Sequence, residues 1–389
     1  MNLRSCGIVK KLHGKYGKIN MFMNNNFWKG KKVFVTGHTG FKGSWLSIFL
    51  SMLGAKVYGY ALKPPTKPSL FEQGKICKLL EGNVIADIRD YNKLKRALVK
   101  IKPDIVIHMA AQPLVRDSYI MPRETYEINV MGTVNLFEVI RRYFRPRVVL
   151  NVTTDKVYEN KERKKGYVES DPLGGYDSYS SSKACSELVT SAYRSSFFTK
   201  FSKPPVLQFS NPLILQSSYI SSARAGNVIG GGDWAKDRLI PDIFRAILEG
   251  RKVLIRNPYS IRPWQHVLDC LSGYLILCER MYLYGERYVG AWNFGPDEKD
   301  LKTVEWIVKR MLDKIKPNKG YEIAEGEHPY EAKLLVLNSS KSKRELGWKI
   351  KWNLETTIDK ISEWFNFYRD SIKPLDICVK QIKEYESYL

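Results

Sequence analysis

The 389-residue sequence predicts an α/β fold, in which a doubly wound parallel sheet carries a smaller mixed α/β lobe. The first observation is an alternation of short apolar runs and helix-like stretches up to about residue 200. This alternation is typical of a parallel sheet that is covered by helices on both faces. The second observation is that prolines and glycine-rich, aromatic segments interrupt the alternation beyond that point, which indicates a separate region.

Each predicted strand is a short apolar run bounded by turn or helix signals. Strands are predicted over residues 33–35, 57–60, 83–86, 105–109 and 148–152, with helices over 43–53, 91–100 and 125–143. The second region predicts a strand over 221–224 and helices over 241–248, 303–314 and 354–368. Open parallel sheets bind ligands at the carboxyl ends of their strands, so we expect the functional residues there.

Residues 1–27 contain several lysines but no acidic residue, and they show neither helical nor strand periodicity. They also lack the apolar core of a secretory signal and the serine and arginine content of a transit peptide. We expect a disordered basic extension or a mis-assigned start, with Met21 or Met23 as the true beginning.

The composition argues against several classes of protein. No run of about 18 apolar residues is present, so no membrane-spanning helix is predicted. The six cysteines form no CxxC pair, which argues against a zinc site or a disulfide scaffold. The formal net charge of +23 is spread along the chain and does not alternate with aromatic residues as in a single-strand binding groove. We therefore predict a cytoplasmic protein that binds neither nucleic acid nor membrane.

A glycine-rich turn follows the first predicted strand. Gly37, Gly40 and Gly43 are spaced by three residues between that strand and the next helix. Glycines in this setting let the backbone approach a pyrophosphate, while the amino terminus of the helix faces its negative charge. The flanking strand and helix supply the context that the motif requires, so the turn predicts dinucleotide binding.

The residues alone leave the choice between NAD and NADP open. The second strand is followed by Ala61, Leu62 and Lys63, without the acidic residue that usually binds the ribose of NAD. Lys63 is placed to attract a 2′-phosphate instead. Asp87, just after the third strand, is placed either to reach the adenine or to cap the helix that begins near Tyr91.

Tyr179 and Lys183 lie four residues apart and therefore share one face of a helix. An ordinary phenol has a pKa of about 10, and a nearby ammonium group and an oxidised nicotinamide would both favour the phenolate. Tyr179 is therefore predicted to act as a base.

Thr154, Asp155 and Lys156 lie at the carboxyl end of the fifth predicted strand. Thr154 offers a hydroxyl group, Asp155 an acid, and Lys156 a base or a cation. The alternative is a strand end followed by an ordinary helix cap. Their position between the glycine turn and the tyrosine–lysine pair favours a catalytic role.

Together these motifs resemble the extended short-chain dehydrogenase/reductase family of NAD-dependent epimerases and dehydratases. Within it, the chain is most similar to the 4,6-dehydratases that act on CDP-glucose. The likeness runs from about Trp28 to near Tyr368, and a longer, more apolar stretch over residues 199–220 indicates a local loop insertion. The phrases that carry the likeness are residues 37–45 (GHTGFKGSW), 65–71 (PTKPSLF), 108–112 (HMAAQ), 129–133 (NVMGT), 153–160 (TTDKVYEN), 171–177 (DPLGGYD), 223–234 (ARAGNVIGGGDW) and 262–267 (RPWQHV).

The resemblance implies a three-step reaction that uses NAD and no metal ion. Tyr179, assisted by Lys183 and Thr154, takes the proton of the sugar 4-hydroxyl while NAD takes the hydride from C4. Lys156 removes the C5 proton while Asp155 protonates the departing 6-hydroxyl. The hydride then returns to C6 and gives a 4-keto-6-deoxy sugar. In related dehydratases an acidic residue commonly stands in the place of Lys156, and the lysine resembles the CDP-glucose branch.

The motifs and the resemblance also assign domains and binding residues. We expect residues 28–200 to form the NAD-binding domain with the catalytic groups, and residues 201–389 the remaining sheet elements and the substrate-binding lobe. The predicted cofactor contacts are Gly37, Thr39, Gly40, Phe41, Gly43, Asp87, Ala110, Ala111, Gln112, Asn129, Tyr179 and Lys183. The predicted contacts with the diphosphate and base of a nucleotide-sugar substrate, CDP-glucose, are Asn227, Arg238, Arg262 and His266.

Two alternatives remain. A sugar-nucleotide 4-epimerase would share the glycine turn and the tyrosine–lysine pair but needs no acid to expel water, so Asp155 followed by Lys156 favours a dehydratase. A non-catalytic NAD(P)-sensing protein would share the fold, but such proteins usually lose the tyrosine or the lysine. We also expect a homodimer or homotetramer, since many relatives pair through helices that resemble residues 125–143 and 177–195.

Overall fold

The computed structural model describes residues 26–198, 217–317, 319–325 and 334–387. Its strands are β1 (Lys32–Thr36), β2 (Lys56–Ala61), β3 (Gly82–Ile85), β4 (Ile105–His108), β5 (Val148–Val152), β6 (Tyr219–Ala225), β7 (Val228–Ile229), β8 (Val253–Ile255), β9 (Ile261–Pro263), β10 (Gln265–His266), β11 (Gly290–Phe294), β12 (Leu301–Thr303) and β13 (Tyr321–Ile323). Seven of them form one sheet in the order β3-β2-β1-β4-β5-β6-β11, and every neighbouring pair is parallel. The predicted fold class is therefore confirmed.

Helices cover both faces of the central sheet. They are α1 (Phe41–Met52), α2 (Leu70–Gln73), α3 (Tyr91–Ile101), α4 (Val115–Ile120), α5 (Pro122–Tyr126), α6 (Gly132–Tyr143), α7 (Ser178–Tyr193), α8 (Leu239–Leu248), α9 (Val267–Tyr284), α10 (Val304–Ile315), α11 (Leu354–Arg369) and α12 (Pro374–Ser387). Successive strand residues point to opposite faces, so Val33 and Val35 join the core under α1 and α9 while Phe34 joins the core under α3 and α6. Both cores therefore include side chains of the central sheet.

The helix predicted over residues 125–143 consists of three consecutive pieces. Helix α5 runs into a π-helical turn over Glu127–Met131, and α6 follows at once. The pattern did not predict β11, α9 or α12. Helix α9 is buried over most of its length and therefore lacks the polar stripe by which a surface helix is recognised.

Two predicted segments fall largely outside the described residues. These are the basic extension, of which residues 1–25 are not described, and the loop insertion, of which residues 199–216 are not described. Phe27 is 7% exposed and its ring packs against Tyr282, so the folded core includes this residue. In the part of the chain that the structure describes, no helix is both long and apolar enough to cross a membrane.

The carboxyl ends of the central strands form a row of buried polar residues. In the strand register, Thr36 pairs with His108, His108 with Asn151, and Asn151 with Ser222. The hydroxyl of Thr36 hydrogen-bonds Nδ1 of His108 at 2.7 Å, and the Asn151 amide donates to Ser186 of α7 at 2.9 Å. The contact between Asn151 and Ser186 holds α7 against the carboxyl edge of the sheet.

Candidate active site

Gly37 lies in the turn after β1, Gly40 is the N-cap of α1, and Gly43 lies in the first turn of that helix. Gly37 has φ +75°, and a Cβ there would lie 2.8 Å from the backbone of Met109 and Ala110. A Cβ on Gly43 would lie 2.2 Å from the Gly37 carbonyl oxygen. At Gly40 the nearest atom would be that same oxygen, at 3.5 Å. Internal packing therefore demands glycine at Gly37 and Gly43, whereas Gly40 leaves open space at the amino terminus of α1.

Tyr179 and Lys183 lie on α7, and the Lys183 side chain reaches the carboxyl end of β5. Its Nζ donates to the carbonyl oxygen of Val152 at 3.3 Å. Burial lowers the pKa of Lys183 to about 8, and the positive charge of Lys42 acts in the same direction. Burial raises the pKa of Tyr179 to about 12, against a hydrogen bond with Thr154 that lowers it. Tyr179 therefore needs additional positive charge nearby before it can act as a base near neutral pH.

Asp155 lies at the carboxyl end of β5 and is 2% exposed. Its Oδ1 accepts a hydrogen bond from the Thr154 hydroxyl at 2.9 Å, and its Oδ2 has no hydrogen-bond partner among the described residues. That oxygen faces Gly226, where a Cβ would approach it to 3.1 Å. Burial raises the pKa of Asp155, against the positive charge of Lys156, which lowers it. A buried carboxyl group with a raised pKa and an unused oxygen is suited to donate a proton to a bound molecule.

The Thr154 hydroxyl connects the two halves of the site. It donates to the Asp155 carboxyl at 2.9 Å and accepts the backbone N–H of Lys156 at 3.4 Å, and hydrogen bonding by Thr154 lowers the pKa of Tyr179. Thr154 thereby also caps the short 3-10 turn Asp155–Val157, so the capping alternative is confirmed, and the catalytic role stays a prediction. The predicted base Tyr179 and the predicted acid Asp155 are therefore both linked to Thr154, an arrangement compatible with an oxidation followed by an elimination.

The sequence was compared with known proteins. The sequence profile described as GDP-mannose 4,6 dehydratase matches residues 34–361. This chain belongs to that family. Among its relatives, CDP-glucose 4,6-dehydratase of Salmonella typhimurium is 49% identical over 369 residues, which cover 94% of this chain and 98% of the relative. The probable dTDP-glucose 4,6-dehydratase of Sinorhizobium fredii is 26% identical and is covered over 92% of its length, against 86% of this chain.

Solved structures agree with the fold expected for the GDP-mannose 4,6 dehydratase family. dTDP-glucose 4,6-dehydratase from Bacillus anthracis, in complex with NAD, has a TM-score of 0.69 at 22% identity and covers 89% of this chain and 100% of its own. UDP-glucose-4-epimerase from Stenotrophomonas maltophila, with bound NAD, has a TM-score of 0.73 at 18% identity, over 88% of this chain and 99% of its own. At these identities the likeness shows a shared architecture. It confirms the predicted fold, a parallel sheet with helices on both faces.

In this member of the GDP-mannose 4,6 dehydratase family, several predicted cofactor residues shape the turns around the glycine loop. The Thr39 hydroxyl donates to the Leu62 carbonyl oxygen at 2.9 Å, which holds the end of β2. The Asn129 amide oxygen accepts the Gln112 backbone N–H at 2.9 Å, and its NH₂ group donates to Ser182 of α7 at 2.9 Å. The side chains of Thr39 and Asn129 therefore hold the backbone of the turns around the glycine loop.

The remaining predicted cofactor residues lie around the same edge. Phe41 begins α1, and Ala110 donates its backbone N–H to the Thr36 hydroxyl at 3.0 Å, just before the half-buried Ala111. Asp87 follows β3, but both its carboxylate oxygens accept hydrogen bonds from Arg89, which lower its pKa.

The capping alternative for Asp87 is wrong. Asp90 caps α3 instead, because its side chain accepts the Lys93 backbone N–H at 3.0 Å. Asp87 stays a predicted adenine contact that would have to share its carboxylate with Arg89.

Of the four predicted substrate residues, the two arginines border the candidate site, whereas His266 lies elsewhere. Arg238 ion-pairs with Asp233 at 3.0 Å, and its charge lowers the pKa of Tyr179. The charge of Arg262, a residue that is 7% exposed, lowers the pKa of Asp155. Both arginines therefore border the site. Asn227 is half-buried in the loop before β7.

His266 does not lie with these residues. It is fully buried, its ring packs against Trp45 and Trp352, and its Nδ1 accepts the backbone N–H of Leu268 at the start of α9. Burial lowers its pKa to about 3, so the ring is neutral. The structure thus places His266 in the core as a helix cap, and we correct its assignment as a substrate contact.

Sequence reasoning missed Lys42, which stands inside the glycine motif. Its Nζ donates to the hydroxyl of Tyr274 at 3.3 Å, its charge lowers the pKa of Lys183, and the charge of Asp155 raises the pKa of Lys42. Burial lowers the pKa of Lys42. The sequence signal that could have indicated Lys42 is its position in a glycine motif that packs onto a buried helix. Its contacts are long-range, so no local pattern indicated them.

Proposed function

We propose that this chain is a sugar-nucleotide 4,6-dehydratase that converts CDP-glucose to CDP-4-keto-6-deoxyglucose with NAD. The observation that carries this proposal is Asp155, a buried acid with an unused oxygen, joined through Thr154 to the base Tyr179. The 49% identity to CDP-glucose 4,6-dehydratase of Salmonella typhimurium over nearly the whole chain supports the choice of nucleotide.

The glycine turn fits NAD, because open space remains beside Gly40 at the amino terminus of α1. When bound, the nicotinamide supplies the acceptor and donor of the hydride. The Ala110–Gln112 turn borders the same edge, and Lys183 is buried beside the end of β5. We expect Lys183 to bind the cofactor and to contribute positive charge near Tyr179.

Gly40→Val tests the cofactor site. A valine side chain would fill the open space without meeting the protein backbone closely, since the nearest atom to a Cβ there is 3.5 Å away. We therefore expect a folded protein whose affinity for NAD, measured by isothermal titration calorimetry, falls at least about 10-fold, a loss of about 1.4 kcal/mol. Unchanged affinity in a variant with a normal melting temperature would contradict this placement.

In the proposed reaction, Tyr179 takes the proton of the sugar 4-hydroxyl and Thr154 holds the phenol in place. The resulting ketone at C4 acidifies the proton at C5. Lys156 removes that proton or stabilises the enolate that forms, and Asp155 gives its proton to the departing 6-hydroxyl, which leaves as water. We expect Arg238 and Arg262 to bind the diphosphate, because an arginine makes charge-assisted, forked hydrogen bonds with phosphate. Asn227 is kept as a candidate contact with the nucleotide.

The second candidate function is that of a sugar-nucleotide 4-epimerase. Several solved structures of the same fold are of UDP-glucose 4-epimerases. An epimerase returns the hydride to C4 and expels no water, so it has no use for a buried acid beside the base. Asp155 therefore favours the dehydratase.

We also propose a cytoplasmic protein that forms a homodimer or homotetramer. Exposed apolar side chains on the α4 and α7 side support an interface between copies of the chain, since large exposed apolar residues in one region often mark such contacts. These side chains include Ile120 at 78% exposure and Leu188 at 59%.

The proposed function is tested by incubating the protein and NAD separately with CDP-glucose, UDP-glucose and dTDP-glucose. We expect a product lighter by one water from CDP-glucose, detected by mass spectrometry, and much slower conversion of the other two. A product with the mass of the substrate but altered stereochemistry at C4 would favour the epimerase. No conversion of any of the three would contradict both enzymes.

A further inference from the structure

A buried ion pair lies directly behind the candidate active site. Glu187 on α7 and Arg224 on β6 are each 4% exposed, and they meet through two hydrogen bonds of 3.0 Å. The Glu187 carboxylate also accepts the hydroxyls of Thr153 and Ser222, each at 2.5 Å. The carboxylate thus receives hydrogen bonds from β6 and from the residue that directly follows β5.

The same pair holds both ends of the segment that carries the proposed acid. Thr153, bound to Glu187, directly precedes Thr154 and Asp155. Beyond the segment, the Tyr158 hydroxyl accepts a hydrogen bond from Arg224 at 2.8 Å and donates to Asn293 at 2.7 Å. The segment of residues 154–156 is therefore fixed on both sides by groups that converge on one ion pair.

The helix that bears Glu187 also bears the redox groups. Tyr179, Lys183 and Glu187 are spaced by four residues and so lie along one side of α7. A displacement of Glu187 relative to the Thr153 hydroxyl would change how α7 lies against the end of β5. In turn it would change the position of Tyr179 relative to Asp155.

We propose that the Glu187–Arg224 pair is a positioning device for the dehydration, which keeps the segment of residues 154–156 in register with Tyr179 on α7. This inference rests on the proposed dehydratase function. Neither residue is a catalytic residue, because both lie behind the strand ends and act through Thr153 and Tyr158.

A role in stability alone explains the pair poorly. A buried ion pair stabilises a fold little more than a well-packed apolar pair does. Apolar residues can therefore often replace a buried ion pair without loss of stability. Geometry is more sensitive, since a displacement of about 1 Å at a reacting group can reduce a rate roughly 100-fold. The oxidation takes place at the Tyr179 end and the elimination at the Asp155 end. Loss of register should therefore slow the elimination more than the oxidation.

The test uses Glu187→Gln/Arg224→Met, which removes both charges together, and Thr153→Val, which removes one tether and leaves the charges in place. With CDP-glucose and NAD we expect kcat to fall roughly 10- to 100-fold with little change in KM, as in a displaced active site. We also expect reduced cofactor to accumulate during turnover, seen by its absorbance, because oxidation continues while elimination lags.

Thr190→Val is the matched control. Thr190 is buried on the same helix and hydrogen-bonds Asn151 at 2.8 Å, so its loss costs a buried hydrogen bond without touching residues 153–158. We expect near wild-type kcat and no accumulation of reduced cofactor in this variant.

The proposal is overturned if Thr153→Val turns over without accumulating reduced cofactor, or if the folded double variant lowers oxidation and product formation equally. If the double variant does not fold, as judged by its thermal melt, Thr153→Val decides alone. Wild-type protein that releases no dehydrated product from any nucleotide glucose would instead refute the proposed function, so the two failures are distinct.

Discussion

Tyr179→Phe is expected to lower turnover of CDP-glucose at least about 100-fold, the usual cost of losing a general base. The phenol hydroxyl is the atom that Thr154 hydrogen-bonds and that the charge of Arg238 influences. Its removal leaves the ring and the packing of α7 in place. Binding of NAD and of CDP-glucose should therefore be nearly unchanged, and the loss should appear in kcat, measured in steady-state assays alongside binding titrations.

The pH dependence gives a second readout for Tyr179. Burial raises its pKa to about 12 in the protein alone, so the rate of the oxidation should increase with pH as more phenolate forms. The positive charges of Lys183 and of the bound oxidised nicotinamide should bring this increase toward neutral pH. Lys183→Met, which removes one charge, should shift the increase to higher pH. Near-normal turnover by Tyr179→Phe would exclude this tyrosine from the mechanism.

Asp155→Asn is expected to stop the reaction between oxidation and loss of water. The amide keeps the size of the side chain and the hydrogen bond with Thr154, but it cannot protonate a leaving hydroxyl. Bound reduced cofactor should accumulate without the 6-deoxy product, and formation of that product should fall roughly 100-fold or more. Stopped-flow absorbance and mass spectrometry of the quenched mixture measure the two quantities.

The raised pKa of Asp155 determines how its contribution changes with pH. Burial is the main cause of the shift, so the neutral, proton-donating form persists to higher pH than for an exposed aspartate. The elimination rate should therefore decline as pH rises through that raised pKa, and this decline should be absent in Asp155→Asn.

Lys156→Ala provides the comparison for the neighbouring position. In deuterated water the wild-type reaction should place label at C5, and the variant should not. If Lys156→Ala and Asp155→Asn both released the 4-keto-6-deoxy sugar at the normal rate, these two residues would not carry the dehydration, and the epimerase would regain support.

Most of the central fold could be predicted because its signals are local. Strands β4 and β5 are buried at every position, and parallel strands covered on both faces appear in sequence as continuous apolar runs. Strand β11 is a five-residue edge strand that begins with glycine, and helix α9 carries no amphipathic stripe. The formation of β11 and α9 depends on the sheet and the core around them, so the local sequence pattern did not predict them.

The sequence predicted where the motifs of the candidate site lie, but it did not predict correctly every residue near that site. The glycine turn and the Thr154–Lys156 segment lie where the sequence placed them. His266 stands in a phrase typical of the family, yet its side chain turns inward to cap α9. Lys42 lies close enough to Asp155 and Lys183 for their charges to interact, at a position that the glycine motif leaves unspecified.

The sequence by itself determined the alternation of β1 to β5 with helices, the turn that holds Gly40, and the spacing that sets Tyr179 and Lys183 on one helix face. These features depend on neighbours within a few residues along the chain. Only the tertiary structure decided that the Thr154 hydroxyl stands between Tyr179 and Asp155, and that Glu187 joins Arg224 behind them. Those contacts join residues as far as 37 positions apart. They depend on how α7 packs across the carboxyl ends of β5 and β6, which no local pattern encodes.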